Sequence, residues 1–328
     1  MAGDRPDLSV VVPLFNELEN LGDLHRELTS VLETLGRPFE LVLVDDGSTD
    51  GTRERLLELE SADPRVRAVT LRRNFGQTAA FAAGFDRARG KVVVTSDGDL
   101  QNDPADIPVL VSKLEDDGLD MVCGWRQRRH DPLSKRIPSF FANRLISWAT
   151  GVHLHDYGCS LKAMRADVVH GMRLYGEMHR FIPAVASWMG VTLTEVPVGH
   201  RPRTRGRSKY GLGRTVRVLL DLFTVKFLLS YGTRPAHLFG MMGLASGGVG
   251  FAILAYLAGV KLIADEAIGD RPLLLLGVLL FLTGVILVSF GLIGELLVRT
   301  WHESQNKPIY AVQERRRRGE EGRGAPSP

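Results

Sequence analysis

The sequence predicts an α/β chain: a mostly parallel sheet wrapped by helices, then helices at a membrane interface, then two C-terminal transmembrane helices. Three observations carry this. Between Leu8 and Gly124, short Val-rich apolar runs alternate with helical patterns. Ala236–Val260 and Pro272–Gly294 contain no Asp, Glu, Lys or Arg, and each is longer than the roughly 20 apolar residues that cross a bilayer. Acidic residues follow directly on several of the apolar runs.

The strands read as Leu8–Leu14, Phe39–Val44, Val66–Leu71, Lys91–Thr95 and Asp120–Gly124, each short, apolar and bounded by turn residues. Helical stretches lie between them, at about Glu17–Leu35, Gly51–Ser61, Gly76–Arg89 and Pro104–Asp117. Such alternation implies a parallel sheet covered on both faces. Ligands bind such sheets beyond the carboxyl ends of the strands. Asn16 and Glu17 stand at the end of the first strand, Asp45 and Asp46 at the end of the second, and Asp97 and Asp99 at the end of the fourth.

Leu133–Thr150 mixes aromatics with Lys135, Arg136 and Arg144. Leu212–Tyr231 spaces Val216, Leu219, Leu220, Phe223, Phe227 and Leu228 as one helical face among Arg214, Arg217 and Lys226. Both suit helices lying in the interface, or ordinary amphipathic packing helices. This divides the chain into a catalytic domain (1–210), a juxtamembrane helix (211–234), a two-helix anchor (235–299) and a basic tail (300–328).

Basic residues precede the first span (Lys209, Arg214, Arg217, Lys226, Arg234) and follow the second (Arg299, Lys307, Arg315–Arg318), whereas the loop between spans is nearly balanced. The positive-inside rule then places the large domain and the tail in the cytoplasm, in a multi-pass protein of the cytoplasmic membrane. The N-terminus, with Asp4 and Asp7, does not read as a signal peptide. With 41 basic and 38 acidic residues the net charge is +3, too small to argue for nucleic acid. Cys123 and Cys159 are the two cysteines, and neither a disulfide framework nor a zinc spacing follows from them.

Asp97-Gly98-Asp99 carries the chemistry. Two carboxylates at i and i+2 beyond an apolar strand can converge on one hard cation, Mg²⁺ or Mn²⁺, whose remaining ligands come from water and substrate phosphates. Gln101 adds a further oxygen, and Asn102 and Asp103 read as turn or cap residues for the helix from Pro104. Asp46, in DDGSTDG, reads either as a hydrogen-bond partner for a base or ribose or as part of a capped turn. Phe15 and Glu17, after Pro13, are placed to flank a base.

Together VVPLFNELENL, LVLVDDGSTDGT, RNFGQTAAFAAGF, SDGDLQNDP, HDYGCSLKAMR, HRFIP and RGRSKYG resemble family 2 glycosyltransferases of the GT-A, Rossmann-like fold. The match is to the polyprenyl-phosphate branch, which includes dolichol-phosphate mannose synthase and the undecaprenyl-phosphate sugar transferases. The resemblance implies inverting transfer of a sugar from a UDP- or GDP-linked donor to a polyprenyl phosphate, with Mg or Mn as cofactor, beside membrane lipids. It also implies roles. Pro13, Phe15, Glu17, Val44 and Asp46 would hold the nucleoside, with Phe15 standing where many relatives have Tyr. Asp97, Gly98, Asp99 and Gln101 would hold metal and diphosphate, and Arg126, Arg203 and Lys209 would meet phosphates. Asp156 would orient the sugar or an arginine, since an acceptor phosphate with a second pKa of about 6 needs no general base. A homo-oligomer is implied on the same ground alone.

Three alternatives are weighed. A processive polysaccharide synthase would carry QxxRW, where this chain has HRFIP. A sugar-nucleotide pyrophosphorylase would carry a Gly-rich basic loop after the first strand, where this chain is acidic. A decayed membrane scaffold would lose Asp97, Asp99 or Lys209, all present. His179 and His200 read as structural residues or as groups facing sugar or phosphate, and Cys159 as a small buried residue.

Overall fold

A computed structural model describes residues 5–127, 143, 144, 146, 147, 150–172, 174, 178–202, 235–263 and 267–305. The juxtamembrane helix expected at 211–234, the tail beyond 305, Arg203 and Lys209 lie outside the described residues, as does most of Leu133–Thr150.

The first half builds as its apolar periodicity dictates. β1 (Leu8–Leu14), β2 (Phe39–Asp45), β3 (Val66–Thr70) and β4 (Val92–Thr95) alternate with α1 (Leu18–Thr34), α2 (Thr52–Ala62) and α3 (Gln77–Phe85). α4 (Ile107–Asp116) then leads to β5 (Met121–Trp125). All but β6 run parallel to their neighbours in a seven-stranded sheet ordered β3-β2-β1-β4-β6-β5-β7. β6 (Lys162–Arg165) lies antiparallel between β4 and β5, and β7 (Leu193–Pro197) closes the edge beside β5. The sequence reading had five strands and lacked these two. β6 is four residues with a charge at each end, and β7 carries Glu195, so neither shows a long apolar run.

The period of two along each strand splits the core across the sheet. Val10, Val12, Leu41, Leu43 and Val94 pack with Leu21, Leu24, Leu28 and Leu32 of α1 and Leu110 and Leu114 of α4. Val11, Val42, Val44 and Val93 face the other way, onto Phe81 and Phe85 of α3, with Val168 of α5 (Ala166–Gly171) and Ile182 of α6 (Ile182–Trp188) in the same cluster. Each large apolar side chain so buried contributes about 1.5–3 kcal/mol. α3 comes so close that a Cβ on Gly84 would lie 2.3 Å from Val11 Cγ1.

α7 (Pro235–Ile263) and α8 (Pro272–Gln305) form an antiparallel pair. Ala236–Ile263 and Pro272–Leu297 are long and apolar enough to cross a membrane, and α8 continues beyond its apolar run. Their contact is made by small residues that let backbones approach. A Cβ on Gly284 would lie 2.5 Å from Gly247 Cα, and one on Gly250 2.4 Å from Phe281 N.

Candidate active site

A cleft of about 220 Å³ opens at the carboxyl ends of β1, β2 and β4, lined by Pro13, Leu14, Phe15, Glu17, Asp46, Asn74, Gly76, Gln77, Asp97, Gly98 and Asp99. Its walls are loops tied to one another. After β1, Asn16 takes φ 54°; its N–H donates to Ser48 Oγ at 2.9 Å and its Oδ1 accepts from Thr49 N at 2.8 Å. Glu17 N donates to Thr52 Oγ1, and Leu18 N to Asp50 Oδ2. The first donors of α1 are thus satisfied by the turn after β2, as helix N-termini require. Asp50 also accepts from Thr52 N, the first residue of α2, whereas Ser48 Oγ accepts from Asn16 N of the β1 loop.

The two aspartates after β2 divide their work. Asp45 is fully buried and accepts from Ser48 N and Arg53 Nε, so it shapes the turn. Asp46 lines the cleft, and its oxygens accept from Phe75 N at 2.7 Å and Gly76 N at 2.9 Å. Burial, with help from Asp45, raises its pKa against the pull of those two donors. Asp46 therefore fastens the loop before α3 to the cleft wall. Gly47 permits this closeness, since a Cβ there would lie 2.3 Å from the backbone of Arg73.

Beyond β4 the chain turns through Asp97-Gly98-Asp99, with Leu100 at φ 59°, a conformation costly for a branched side chain. Gly98 packs closely: a Cβ would lie 2.6 Å from Leu14 Cδ2 and 3.3 Å from the Pro13 carbonyl oxygen. Gln77 Nε2 donates to Asp97 Oδ1 at 2.7 Å. Ser160 also hydrogen-bonds Asp97. Burial first, and Asp99 second, push the Asp97 carboxyl up; Ser160, Arg126 and Lys162 oppose this. Among the described residues no three His, Cys, Asp or Glu gather as a metal cage. Two carboxylates on one turn, with the charge of Asp99 acting on Asp97, fit a hard divalent cation that completes its shell from water and substrate oxygens.

Arg126, just after β5, is held by Asp156. Its Nε donates to Oδ2 at 2.7 Å and its Nη2 to Oδ1 at 3.0 Å, with the Asp156 side chain 1 % exposed. Burial opposes the guanidinium charge, but Asp156 more than offsets it, and the pKa is raised. Of the two partners expected for Asp156, a sugar or an arginine, the structure sets Arg126 against it.

Other residues fall as follows. Val44 is fully buried in the core beneath α3, so the structure does not bring its side chain into the cleft. Gln101 sits on the Asp97–Asp99 turn, its N–H on Asp99 Oδ1 and its carbonyl accepting from Arg201 N. Asp103 caps the helix from Pro104 through Ala105 N. Asn102 does not cap: its Nδ2 donates to Ser160 Oγ at 2.6 Å, a correction to the turn-or-cap reading. His179 Nδ1 meets Thr78 Oγ1 at 2.7 Å, next to Gln77. Cys123 and Cys159 are buried, and burial pushes their thiols up to about 12 and about 11.

Sequence reasoning missed Gln77, Asn74, Ser160 and Lys162 as neighbours of the site. Gln77 and Asn74 lay inside RNFGQT, where the one available signal was a glycine opening a helix directly after a strand.

A Rossmann-like sheet carrying two carboxylates past β4, at the mouth of a cleft, is the arrangement of a glycosyltransferase of the GT-A fold. The chain belongs to glycosyl transferase family 2, whose profile matches residues 9–172. It is 46% identical over 315 residues to dodecaprenyl-phosphate galacturonate synthase of Rhizobium johnstonii, covering 94% of this chain and 92% of that protein. It is 36% identical over 310 residues to undecaprenyl-phosphate 4-deoxy-4-formamido-L-arabinose transferase of Salmonella paratyphi B, covering 94% and 93%. In fold it resembles Mycobacterium tuberculosis glucosyl-3-phosphoglycerate synthase, crystallised with Mn²⁺, UDP and phosphoglyceric acid. The TM-score is 0.53 at 19% identity, over 68% of this chain and 78% of that one.

Proposed function

We propose that the protein transfers a sugar from a nucleotide-sugar to a polyprenyl phosphate, with inversion, at the cytoplasmic face of the membrane. The observation that carries this is the placing of Asp97 and Asp99 in one cleft with Phe15, Glu17 and Asp46. A nucleoside fits between the β1 and β2 loops while its diphosphate reaches the two carboxylates.

Asp97 and Asp99, with Gln101 beside them, would hold Mg²⁺ or Mn²⁺, which neutralises charge on the departing diphosphate. Phe15 offers an apolar face to the base, and Glu17 and Asp46 offer acceptors to base or ribose. The acceptor phosphate is already largely dianionic at neutral pH, its second pKa being about 6. It needs cations to approach an anionic donor, not a base. Arg126, aimed by Asp156, supplies one such cation, and Arg203 and Lys209 are assigned the others from the family motif. α7 and α8 keep the site beside the lipid, and the basic flanks of the spans support the cytoplasmic orientation.

The test is transfer of label into the organic phase. Purified protein in detergent receives polyprenyl phosphate, a divalent cation and each of a panel of UDP- and GDP-sugars. The relative at 46% identity is named for galacturonate, so a uronic-acid donor stands first in the panel. Transfer from one donor supports the reading; label growing into a polymer replaces it with a processive synthase.

A further inference from the structure

Lys162 is a charged side chain the proposed chemistry does not use. It sits in β6 opposite Thr95 of β4 and Cys123 of β5, and is 2 % exposed. An ammonium in the middle of a sheet is costly unless something nearby requires its charge. Its Nζ donates to the carbonyl of Cys159, a neutral acceptor that does not by itself account for a buried cation.

The surroundings show what the charge faces. The β4–β6 ladder ends at the Thr95–Lys162 pair, and beyond it Ser160 acts on the Asp97 carboxyl. Thr95 Oγ1 donates to the Ser160 carbonyl at 2.6 Å, and Ser160 Oγ accepts from Asn102 Nδ2 while bonding Asp97. Lys162 thus grips the turn whose next residue holds the Asp97 carboxylate. Its charge also lies within electrostatic reach of Asp97. Asp99 acts on the same Asp97 carboxyl, and Asp156 and Lys162 both act on Cys159. Arg126, which also acts on Asp97, is engaged by Asp156 through two hydrogen bonds, and Lys162 is a second cation acting on Asp97 among the described residues.

We infer that Lys162 is a positioning residue for Asp97: a fixed counter-charge under the Asp97–Asp99 pair that keeps the Cys159–Ser160 turn, and so the Asp97 carboxylate, in a metal-ready arrangement. This rests on the reading of Asp97 and Asp99 as metal ligands. Partners behind a metal's own ligands orient them, and their loss typically lowers metal affinity about 10–100-fold.

The experiment measures metal affinity without turnover. The full-length protein in detergent, with UDP as probe, is titrated with Mn²⁺ while electron paramagnetic resonance reads the free ion. Lys162→Met, Lys162→Gln and Lys162→Arg are compared, with thermal melting as the fold check. Removing one buried charge can itself cost stability, so thermal melting establishes that the neutral variants fold before their affinity is read. Their Mn²⁺ affinity falls about 10–100-fold, while the charge-preserving Lys162→Arg retains most of it. Folded neutral variants with wild-type affinity overturn the inference and leave the metal reading intact. Neutral variants that do not fold overturn it too, assigning Lys162 to the fold. Wild-type protein that binds no Mn²⁺ with UDP overturns the metal reading, and this inference with it.

Discussion

The side-chain amide of Gln77, first residue of α3, donates to Asp97 Oδ1 across 2.7 Å. One helix on one face of the sheet therefore aims the carboxylate that ends β4. Removing the amide while keeping the volume, as in Gln77→Met, leaves the fold and frees Asp97 to rotate. Activity at limiting cation is expected to fall about tenfold or more, with partial recovery at high cation, since the loss is of metal affinity. Steady-state rates against Mn²⁺ concentration check this.

Arg126 and Asp156 form a buried bidentate pair, so breaking it from one side leaves an uncompensated charge. Asp156→Asn is expected to cost about 3–5 kcal/mol of stability and to lower activity by releasing Arg126. The double variant Arg126→Met with Asp156→Leu regains stability and not activity. Thermal melts and rates on the four proteins of the cycle separate the two effects. An acid limb in the pH–rate profile, with the rate rising through a base-type pKa, that disappears in Asp156→Asn would contradict the view that the acceptor needs no base.

Acid stability has a local source in Asp63. Arg65, followed by His25, holds this carboxyl well below its ordinary value of 3.8. A carboxylate depressed in the folded state stabilises above its unfolded pKa and loses that contribution as pH falls through the folded one. The contribution is therefore full above about pH 4 and declines below it. Asp63→Asn is expected to lower the melting temperature at neutral pH and to flatten its fall in acid, read by thermal melts between pH 2 and 7.

The spans depend on glycine at specified positions. A Cβ on Gly284 meets the Gly247 backbone at 2.5 Å, whereas one on Gly248 meets nothing within 4 Å. Gly284→Val is expected to force α7 and α8 apart at a cost of about 1–3 kcal/mol, and Gly248→Ala to be nearly silent. Melting in detergent compares them.

Much of this was legible before any coordinates. LSVVVPL, FELVLV and KVVVT are buried on both faces and read as apolar runs; the spans lack charge; the acidic residues fall where strands end. What escaped was short or lateral. β6 and β7 are stabilised by neighbours on both sides or by an edge position, not by their own pattern. The link from Gln77 to Asp97 joins residues 20 apart in sequence, and that from Asn102 to Ser160 joins residues 58 apart. Periodicity does not encode such contacts. Asp45 and Asp46 look alike in sequence, and only the direction of the turn after β2 sends one into the fold and the other to the cleft.

The central claim is that a sugar, and no more than a sugar, passes to a lipid phosphate. The most direct measurement is the phosphorus content of the lipid product, by mass spectrometry and ³¹P NMR, with the released nucleotide identified alongside. One phosphate is expected between lipid and sugar, with an inverted anomeric carbon and a nucleoside diphosphate as the other product. Asp99→Asn is expected to abolish both products. A lipid diphosphate-sugar with release of a nucleoside monophosphate would contradict the claim, because the bond broken would then lie within the diphosphate and not at the sugar.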